Sequence, residues 1–256
     1  MKLNGLTKQE NCFFENDPHM ALARRATAEG VGTLLLMFAA SGSGLAAQHL
    51  SPHHPFIGLI ASAIAIAGAL VGLINAFGAV SGGHFNPLIT ALQWLGGQRK
   101  LDCTLVYISS QIAGGIIGAL LANAVFRSVR PSLAASPGLW SLTLSELIVS
   151  AGLMIVVFGC IRSGKVETAP FAVGTWLTAA IIASPSASYA NPAVTVGALF
   201  SAGPIALSSA NVLAYVSAEI VGAILAFLII MITYPRRVAF DRPVAEVKAL
   251  PKDVLP

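Results

Sequence analysis

The chain has 256 residues, of which 55% are hydrophobic and only 10% are charged, and its formal net charge at pH 7 is +4. Soluble domains carry about 25% charged residues, so this composition excludes an ordinary soluble protein and favours an integral membrane protein. The basic residues form no stripe and are not interleaved with aromatic residues, which argues against a nucleic-acid partner.

Residues 1–22 form a polar arm of mixed charge, without the apolar core of a cleavable signal peptide. We therefore expect the first spanning helix to direct insertion. Cys12, Cys103 and Cys160 show no metal-ligand spacing. They are interpreted as unpaired thiols, and the sequence predicts neither a metal site nor a cofactor.

Six apolar stretches follow the arm, and most reach the ~20 residues that cross the bilayer core. The predicted spans are Ala23–Gln48, Phe56–Val80, Leu105–Arg127, Leu139–Ile161, Thr168–Ser184 and Leu207–Tyr234. The fifth is the shortest. Residues 23–234 are thus predicted to form one membrane domain, followed by a tail over residues 235–256.

Two further segments, Ser81–Gly97 and Pro185–Gly203, are mildly apolar and too short to span. Each carries an Asn-Pro pair near its middle, at Asn86-Pro87 and Asn191-Pro192. Backbone that enters a membrane without crossing it is tolerated where protein buries it or a cavity wets it. Both segments are therefore predicted to be re-entrant loops.

The loop charges predict the orientation of the domain. If the N-terminus is cytoplasmic, all of the 15 Lys and Arg residues except Arg127 and Arg130 lie on the cytoplasmic side. Cytoplasmic loops carry an excess of Lys and Arg. Both termini are therefore predicted to be cytoplasmic, in a multi-pass protein of the cell (inner or plasma) membrane.

The two halves of the domain resemble each other. Three sequence blocks recur in the same order, at residues 28–30 and 145–147, at 84–90 and 189–195, and at 107–114 and 215–222. Each half, at about 23–127 and 139–234, has three spans, so the second is inverted relative to the first. In inverted repeats the solute path lies at the repeat interface.

The Asn-Pro pairs read as helix starts, because Asn favours the N-cap and Pro the first helical position. Two half-helices of ~10 residues, each rising ~15 Å, would together cover the ~30 Å core. Their positive ends would face one another and repel cations and protons. The amides of Asn86 and Asn191 would then donate hydrogen bonds to a passing solute.

Residues 81–87, Ser-Gly-Gly-His-Phe-Asn-Pro, and residues 191–193, Asn-Pro-Ala, resemble the two signature loops of the major intrinsic protein family, which comprises aquaporins and glycerol facilitators. The resemblance covers about residues 23–234. It implies an all-α fold of six transmembrane helices and two re-entrant half-helices, arranged as an inverted 3+3 repeat. It also implies a homotetramer in the lipid bilayer, with main-chain carbonyls of Gly82, Gly83 and His84 lining each pore.

Several polar residues fall inside the predicted spans. A charge at mid-bilayer costs at least ~2.5–3.5 kcal/mol, so such residues usually face the protein interior. The resemblance favours Glu29 and Glu146 as acids that brace the re-entrant loops, over the alternative of a proton relay. Gln111 and Glu219 occupy matching positions of the repeats, which suggests scaffolding.

Two pairs of glycines stand four residues apart, Gly68 with Gly72 and Gly114 with Gly118. Small residues at this spacing allow helices to approach closely. Both pairs are predicted to pack inside the protomer.

The sequence departs from the family pattern at the selectivity filter. Val194 stands where an arginine usually follows the second Asn-Pro-Ala, and Leu88 replaces the alanine of the first motif. The resemblance places Ile66, Ser188 and a residue of the fifth span beside Val194. That residue is Ile181, with Ala179 and Ala180 as alternatives. This ring is neutral, largely apolar and predicted to be wider than usual.

A neutral, wide ring suits larger uncharged solutes, whereas water selectivity needs a tight polar constriction. The sequence therefore predicts a passive channel for water and small neutral solutes, with glycerol-like polyols, urea and metalloid hydroxides such as arsenite as candidates. Thr195, standing where glycerol facilitators carry aspartate, weakens the glycerol assignment. A water-selective aquaporin is the alternative, and an ion-coupled secondary transporter is a weaker one. No nucleophile–base constellation indicates an enzyme.

Overall fold

A computed structural model describes residues 20–129 and 139–234 of the chain, and within these ranges it contains helices and no strand. Six helices are long and apolar enough to cross a membrane. They are α1 (Leu22–Leu50), α2 (Pro55–Ser81), α4 (Leu101–Phe126), α5 (Leu139–Arg162), α6 (Ala169–Ala183) and α8 (Ser209–Thr233). The fifth span also includes the 3₁₀ turn Val166–Thr168 that precedes α6, and together they have 18 residues. The predicted number of spans is confirmed.

Two short helices, α3 (Pro87–Leu95) and α7 (Pro192–Ala198), start at the prolines of the two Asn-Pro pairs, as predicted. α3 has nine residues, but α7 has only seven. It is shorter than expected because its last turn tightens, with Leu199 and Phe200 donating to carbonyls three residues back. The chain then continues through a 3₁₀ turn at Gly203–Ile205.

The helix bounds differ from the predicted spans by at most four residues. The largest difference is at α4, which begins at Leu101 rather than Leu105. Its first turn contains Asp102, whose carboxylate accepts a hydrogen bond from the amide of Cys103 at 2.7 Å. The predicted span was drawn from the apolar stretch alone, so it left out this polar first turn, although the backbone there is already helical.

The glycines of the longer helices show how the halves pack. A Cβ added to Gly114 or Gly118 on α4 would collide with carbonyl oxygens of Gly30 and Leu34 on α1. The equivalent Gly222 on α8 meets the carbonyl oxygen of Leu147 on α5 in the same way. Each repeat therefore has one closely crossed helix pair, α1–α4 and α5–α8, and Gly114 and Gly118 pack inside the protomer as predicted.

The prediction for Gly68 and Gly72 was wrong. A Cβ added to either would meet no atom within 4 Å in the described part of the chain. Both lie on α2, whose most apolar 18-residue window is only 28% buried. The spacing of small residues shows that they share a face but does not show which neighbour, if any, that face meets.

Several predictions concern residues outside the described ranges. They include the arm up to residue 19 with Cys12, the external Arg130, and the tail from residue 235.

Candidate functional site

The first re-entrant loop joins α2 to α3 and needs two glycines. Gly82 and Gly83 have φ values of 94° and 62°, a region that residues with a Cβ rarely adopt. A Cβ on Gly83 would also lie 3.3 Å from the Cα of Gly78. The loop turns away from α2 here and continues in an irregular path to Asn86.

The second loop, between α6 and α7, repeats this backbone without glycine. Ala187, Ser188 and Ala190 have φ values of 60°, 51° and 47°, and Phe85 of the first loop matches Ala190 with 48°. An L-residue in this region costs about 1–2 kcal/mol. The surrounding contacts must therefore hold the second loop in place.

Glu29 of α1 supplies such contacts to the first loop. Its Oε1 accepts hydrogen bonds from the amide of His84 at 3.0 Å and from Ser81 Oγ at 2.6 Å. Its Oε2 accepts from the amide of Phe85 at 2.7 Å and from Gln111 Nε2 at 2.7 Å. The carboxylate is fully buried, and all four partners are donors, which suits its ionised form.

Glu146 of α5 occupies the matching place beside the second loop. Its two oxygens accept from the amides of Tyr189 at 3.0 Å and Ala190 at 2.9 Å. Both glutamates thus accept from the two amides that precede an Asn-Pro pair. These are the contacts expected of loop-bracing acids, and the functional role remains a prediction.

The two loops meet at their asparagines. Asn86 and Asn191 cap their helices, with Oδ1 accepting from the amides of Leu88 at 2.9 Å and Ala193 at 3.0 Å. The Nδ2 of Asn86 donates to the carbonyl of Ala190 at 2.9 Å. Each primary amide has two N–H groups, so this bond uses one N–H of Asn86. Both residues line the cavity described next.

A cavity of about 490 Å³ runs along the interface between the two halves. It begins beside Gln48 and Pro55, near the α1–α2 turn, and passes the asparagine pair. It reaches Val157 and Pro170, near the end of α5 and the start of α6. Among the described residues its lining contains no Lys, Arg, Asp or Glu. A path of this kind suits uncharged solutes.

The walls of the cavity differ in polarity. Apolar side chains spaced four apart come from two helices, Ile66, Leu70 and Ile74 on α2 and Val173, Leu177 and Ile181 on α6. Residues four apart share one helix face. The re-entrant loops supply the polar part, including Asn86, Asn191 and Ser188.

The four predicted filter residues, Ile66, Ile181, Ser188 and Val194, all line this cavity. The alternatives Ala179 and Ala180 are not part of the lining, so of the three candidates in α6 only Ile181 lines the cavity. Ser188 has a buried hydroxyl without a hydrogen-bond partner among the described residues.

The remaining motif residues divide into two groups. Gly83 and His84 line the cavity, as predicted, but Gly82 does not. Pro87, Leu88, Pro192 and Ala193 are buried behind it. The unusual Leu88 therefore packs in the protein core, with 4% of its surface exposed, and does not narrow the cavity.

One cluster, near the starts of α1 and α4, was not anticipated. The guanidinium of Arg99 lies 4.3 Å from the ring centroid of Tyr107. Arg99 Nη2 lies 3.5 Å from His84 Nε2. Arg25 Nε donates to Tyr107 Oη at 3.1 Å, and that hydroxyl donates to the carbonyl of Ser81 at 2.9 Å. Arg25 and Arg99 were read only as loop charges that set orientation, and nothing in their spacing indicated this contact with the first loop.

Comparison with known proteins agrees with this arrangement. The family model described as major intrinsic protein matches residues 18–188. The aquaglyceroporin AqpS of Rhizobium meliloti is 34% identical over 210 residues, covering 80% of this chain and 88% of the relative. A probable aquaporin TIP1-2 of Oryza sativa is 32% identical over 190 residues, covering 70% and 75%.

A solved structure shares the fold. The aquaglyceroporin of Plasmodium falciparum superposes with a TM-score of 0.62 at 17% identity, covering 82% of this chain and 96% of that one.

Proposed function

Because the chain belongs to the major intrinsic protein family, whose members are membrane channels and not enzymes, we propose that it conducts larger neutral solutes through a wide neutral filter. The chain is a multi-pass membrane channel for water or small solutes. The proposed solutes are glycerol-like polyols, urea and metalloid hydroxides such as arsenite.

The observation that carries this proposal is that the four residues predicted to form the filter ring, Ile66, Ile181, Ser188 and Val194, all line the cavity. None of these side chains carries a charge, and only Ser188 has a polar group. An arginine would supply fixed donors and a positive charge at this level. A filter without the arginine binds water less specifically. It also leaves room for a solute whose polar groups are attached to a carbon, nitrogen or metalloid centre.

The relatives support both selectivities under consideration. The Rhizobium meliloti relative is an aquaglyceroporin by name, which favours conduction of solutes larger than water. The Oryza sativa relative is a probable aquaporin by name, which supports the alternative of a water-selective channel. The neutral ring is the reason to favour the first.

A secondary transporter is the remaining alternative, and the placement of the acids disfavours it. Glu29 and Glu146 accept hydrogen bonds from loop amides, and neither lines the cavity. An ion-coupled transporter needs a charged or ion-binding group on the solute path. The polar groups of the described lining are amides, hydroxyls and the imidazole of His84, with no carboxylate or ammonium among them.

The assembly and orientation form part of the same proposal. The outward face of α2, where Gly68 and Gly72 have no neighbour within 4 Å, is suited to close approach by a helix of a second protomer in a homotetramer. Arg24, Lys100 and Arg162 lie at helix ends that share one side, which supports cytoplasmic termini in the cell membrane.

Stopped-flow measurement on proteoliposomes containing the full chain tests the selectivity. Water, glycerol, urea and arsenite are compared in the same preparation, with protein-free liposomes as the baseline. We expect all four fluxes to exceed the baseline and to rise linearly with solute concentration. Water flux alone would support the water-selective alternative, and saturable uptake driven by an ion gradient would support a transporter.

A further inference from the structure

The second repeat contains a buried acid that the first repeat lacks. Glu219 on α8 stands at the position equivalent to Gln111 on α4, and both side chains are fully buried. Neither lines the cavity. The two residues therefore differ in the charge that they can place behind the cavity wall, because an amide is always neutral whereas a carboxyl group can lose a proton.

In the first repeat the amide completes the hydrogen bonding of the bracing acid. Gln111 Nε2 donates to Glu29 Oε2 at 2.7 Å and contacts Thr90 Oγ1 at 3.0 Å. One acid and one amide thus hold the loop, so this pair of side chains contributes a single negative charge at most.

In the second repeat Glu219 contacts the matching threonine as an acceptor. Its Oε1 accepts from Thr195 Oγ1 at 2.6 Å and from the amide of Asn191 at 3.2 Å. The preceding amide, of Ala190, donates to Glu146 Oε2 at 2.9 Å. Amides of adjacent residues lie within about 4 Å of each other, so the two carboxyl groups are neighbours.

The pair lacks the donor that Gln111 supplies. Glu219 Oε2 has no hydrogen-bond partner among the described residues and is shielded from solvent. The other titratable groups facing the pair are Tyr189 of the loop and Tyr215 of α8, whose rings are 5.5 Å apart. Neither is a cation that could offset a second negative charge, and two adjacent buried carboxylates repel each other strongly.

We propose that Glu146 and Glu219 hold one proton between them, and that this proton preserves the exclusion of cations by the outer half of the channel. α7 begins beside Asn191, and its positive end would repel cations. With the proton present, each repeat has one negative charge at its loop. Without it, a second charge opposes the positive end of α7, in a cavity that has no filter arginine. The inference rests on the channel function and names a determinant of its selectivity.

Two matched variants of the full chain test this proposal. Glu219→Gln gives the second repeat the residue pair of the first, and Gln111→Glu gives the first repeat the acid pair of the second. Infrared spectra in H₂O and D₂O detect a buried protonated carboxyl by its isotope-sensitive carbonyl band. We expect this band in the parent, its loss in Glu219→Gln and a stronger band in Gln111→Glu. A band that persists unchanged in Glu219→Gln would overturn the proposal.

Cation leak provides the functional measurement. In proteoliposomes we expect the leak of the parent to rise about tenfold or more as alkaline pH removes the proton, because one added charge acts over a short distance in a poorly screened region. The leak of Glu219→Gln should stay low across the same range. A parent leak that is independent of pH, or a variant leak that rises equally, would overturn the proposal.

Thermal unfolding and water flux of the same preparations verify that each variant is folded. If Gln111→Glu does not fold, the parent and Glu219→Gln still decide the question. A parent that carries the infrared band but conducts no glycerol, urea or arsenite would refute the proposed solute selectivity and leave the shared proton supported.

Discussion

The side-chain amide of Asn191 donates a hydrogen bond to the main-chain carbonyl of Phe85 at 2.8 Å, and so ties the start of α7 to the loop before α3. The reciprocal bond from Asn86 to Ala190 is 2.9 Å. Each asparagine therefore caps its own half-helix and fastens the loop of the opposite repeat. Both asparagine side chains also line the cavity.

Asn191→Ala is expected to lower both stability and flux. It removes the helix cap to Ala193, which typically contributes about 1 kcal/mol, and it leaves the buried carbonyl of Phe85 unpaired at a cost of ~1–3 kcal/mol. Thermal unfolding in detergent and stopped-flow flux per folded channel measure the two effects.

Asn123→Ala is the matched control for this variant. Asn123 clamps the chain after α7 by donating to the carbonyl of Phe200 at 2.8 Å and accepting from the amide of Ala202 at 2.9 Å. It does not line the cavity. We expect a comparable loss of stability with flux per folded channel retained. Equal loss of flux in both variants would mean that Asn191 acts only through folding.

Glu29→Gln is expected to destabilise the protein while leaving most of the flux. Each oxygen of Glu29 accepts hydrogen bonds from two donors. In the glutamine variant an NH₂ group replaces one of these oxygens, and an NH₂ group cannot accept the bonds that those donors offer. Gln111 can relieve part of this by turning its unpartnered Oε1 toward the new amide. At least one loop amide still loses its acceptor, at a cost of ~1–3 kcal/mol, and Glu29→Leu should cost more.

Thermal unfolding and flux distinguish the two roles considered for Glu29. A structural brace predicts that stability falls from parent to Gln to Leu, with flux following the folded fraction. A fully folded Glu29→Gln protein without flux would instead support the proton relay.

The half-helices were predictable because their start signals are local. Asn at the N-cap and Pro at the first position determine where α3 and α7 begin, whatever surrounds them. The positive φ values of Ala187, Ser188 and Ala190 were not predictable, since no glycine marks them. Glu146 and Glu219 on distant helices accept hydrogen bonds from the amides of residues 189–191 and so help to hold this loop, and a local pattern does not contain those contacts.

Facing directions were harder to predict than helix positions. Ala179, Ala180 and Ile181 remained alternatives in the sequence because the length of the following loop leaves the helical phase open by a residue or two. Gly68 and Gly72 were assigned to the wrong face for a similar reason. The spacing defines a stripe on α2, but only the packing of the other helices shows which side of α2 is covered.

Ile181→Phe is expected to reduce the flux of glycerol, urea and arsenite by about tenfold, because a larger apolar side chain would narrow a ring that solutes must pass. Ala179→Phe is the matched control, since Ala179 lies two residues away on the exposed side of α6 and outside the cavity lining. Stopped-flow flux of both variants checks the prediction. A stronger effect of Ala179→Phe would place the constriction elsewhere.

Val194→Arg tests the account of selectivity most directly. Val194 lies in the first turn of α7 and lines the cavity, so an arginine there would narrow the ring and add a positive charge. Flux of the larger neutral solutes should fall by at least about tenfold, and water flux should fall less because water needs the smallest opening. Any leak of small cations should also fall, since the new charge adds to the repulsion by the half-helix ends.

Val194→Met separates size from charge, because it lengthens the side chain without adding a charge. We expect it to reduce glycerol, urea and arsenite flux in part and to leave the cation leak unchanged, whereas Val194→Arg lowers both. Size-exclusion chromatography and thermal unfolding must first show that both variants assemble as the parent does, because a misfolded channel also loses flux. If a well-folded Val194→Arg protein carried glycerol and arsenite as fast as the parent, the ring around Val194 would not be the constriction, and the neutral ring could not explain the selectivity proposed for this channel.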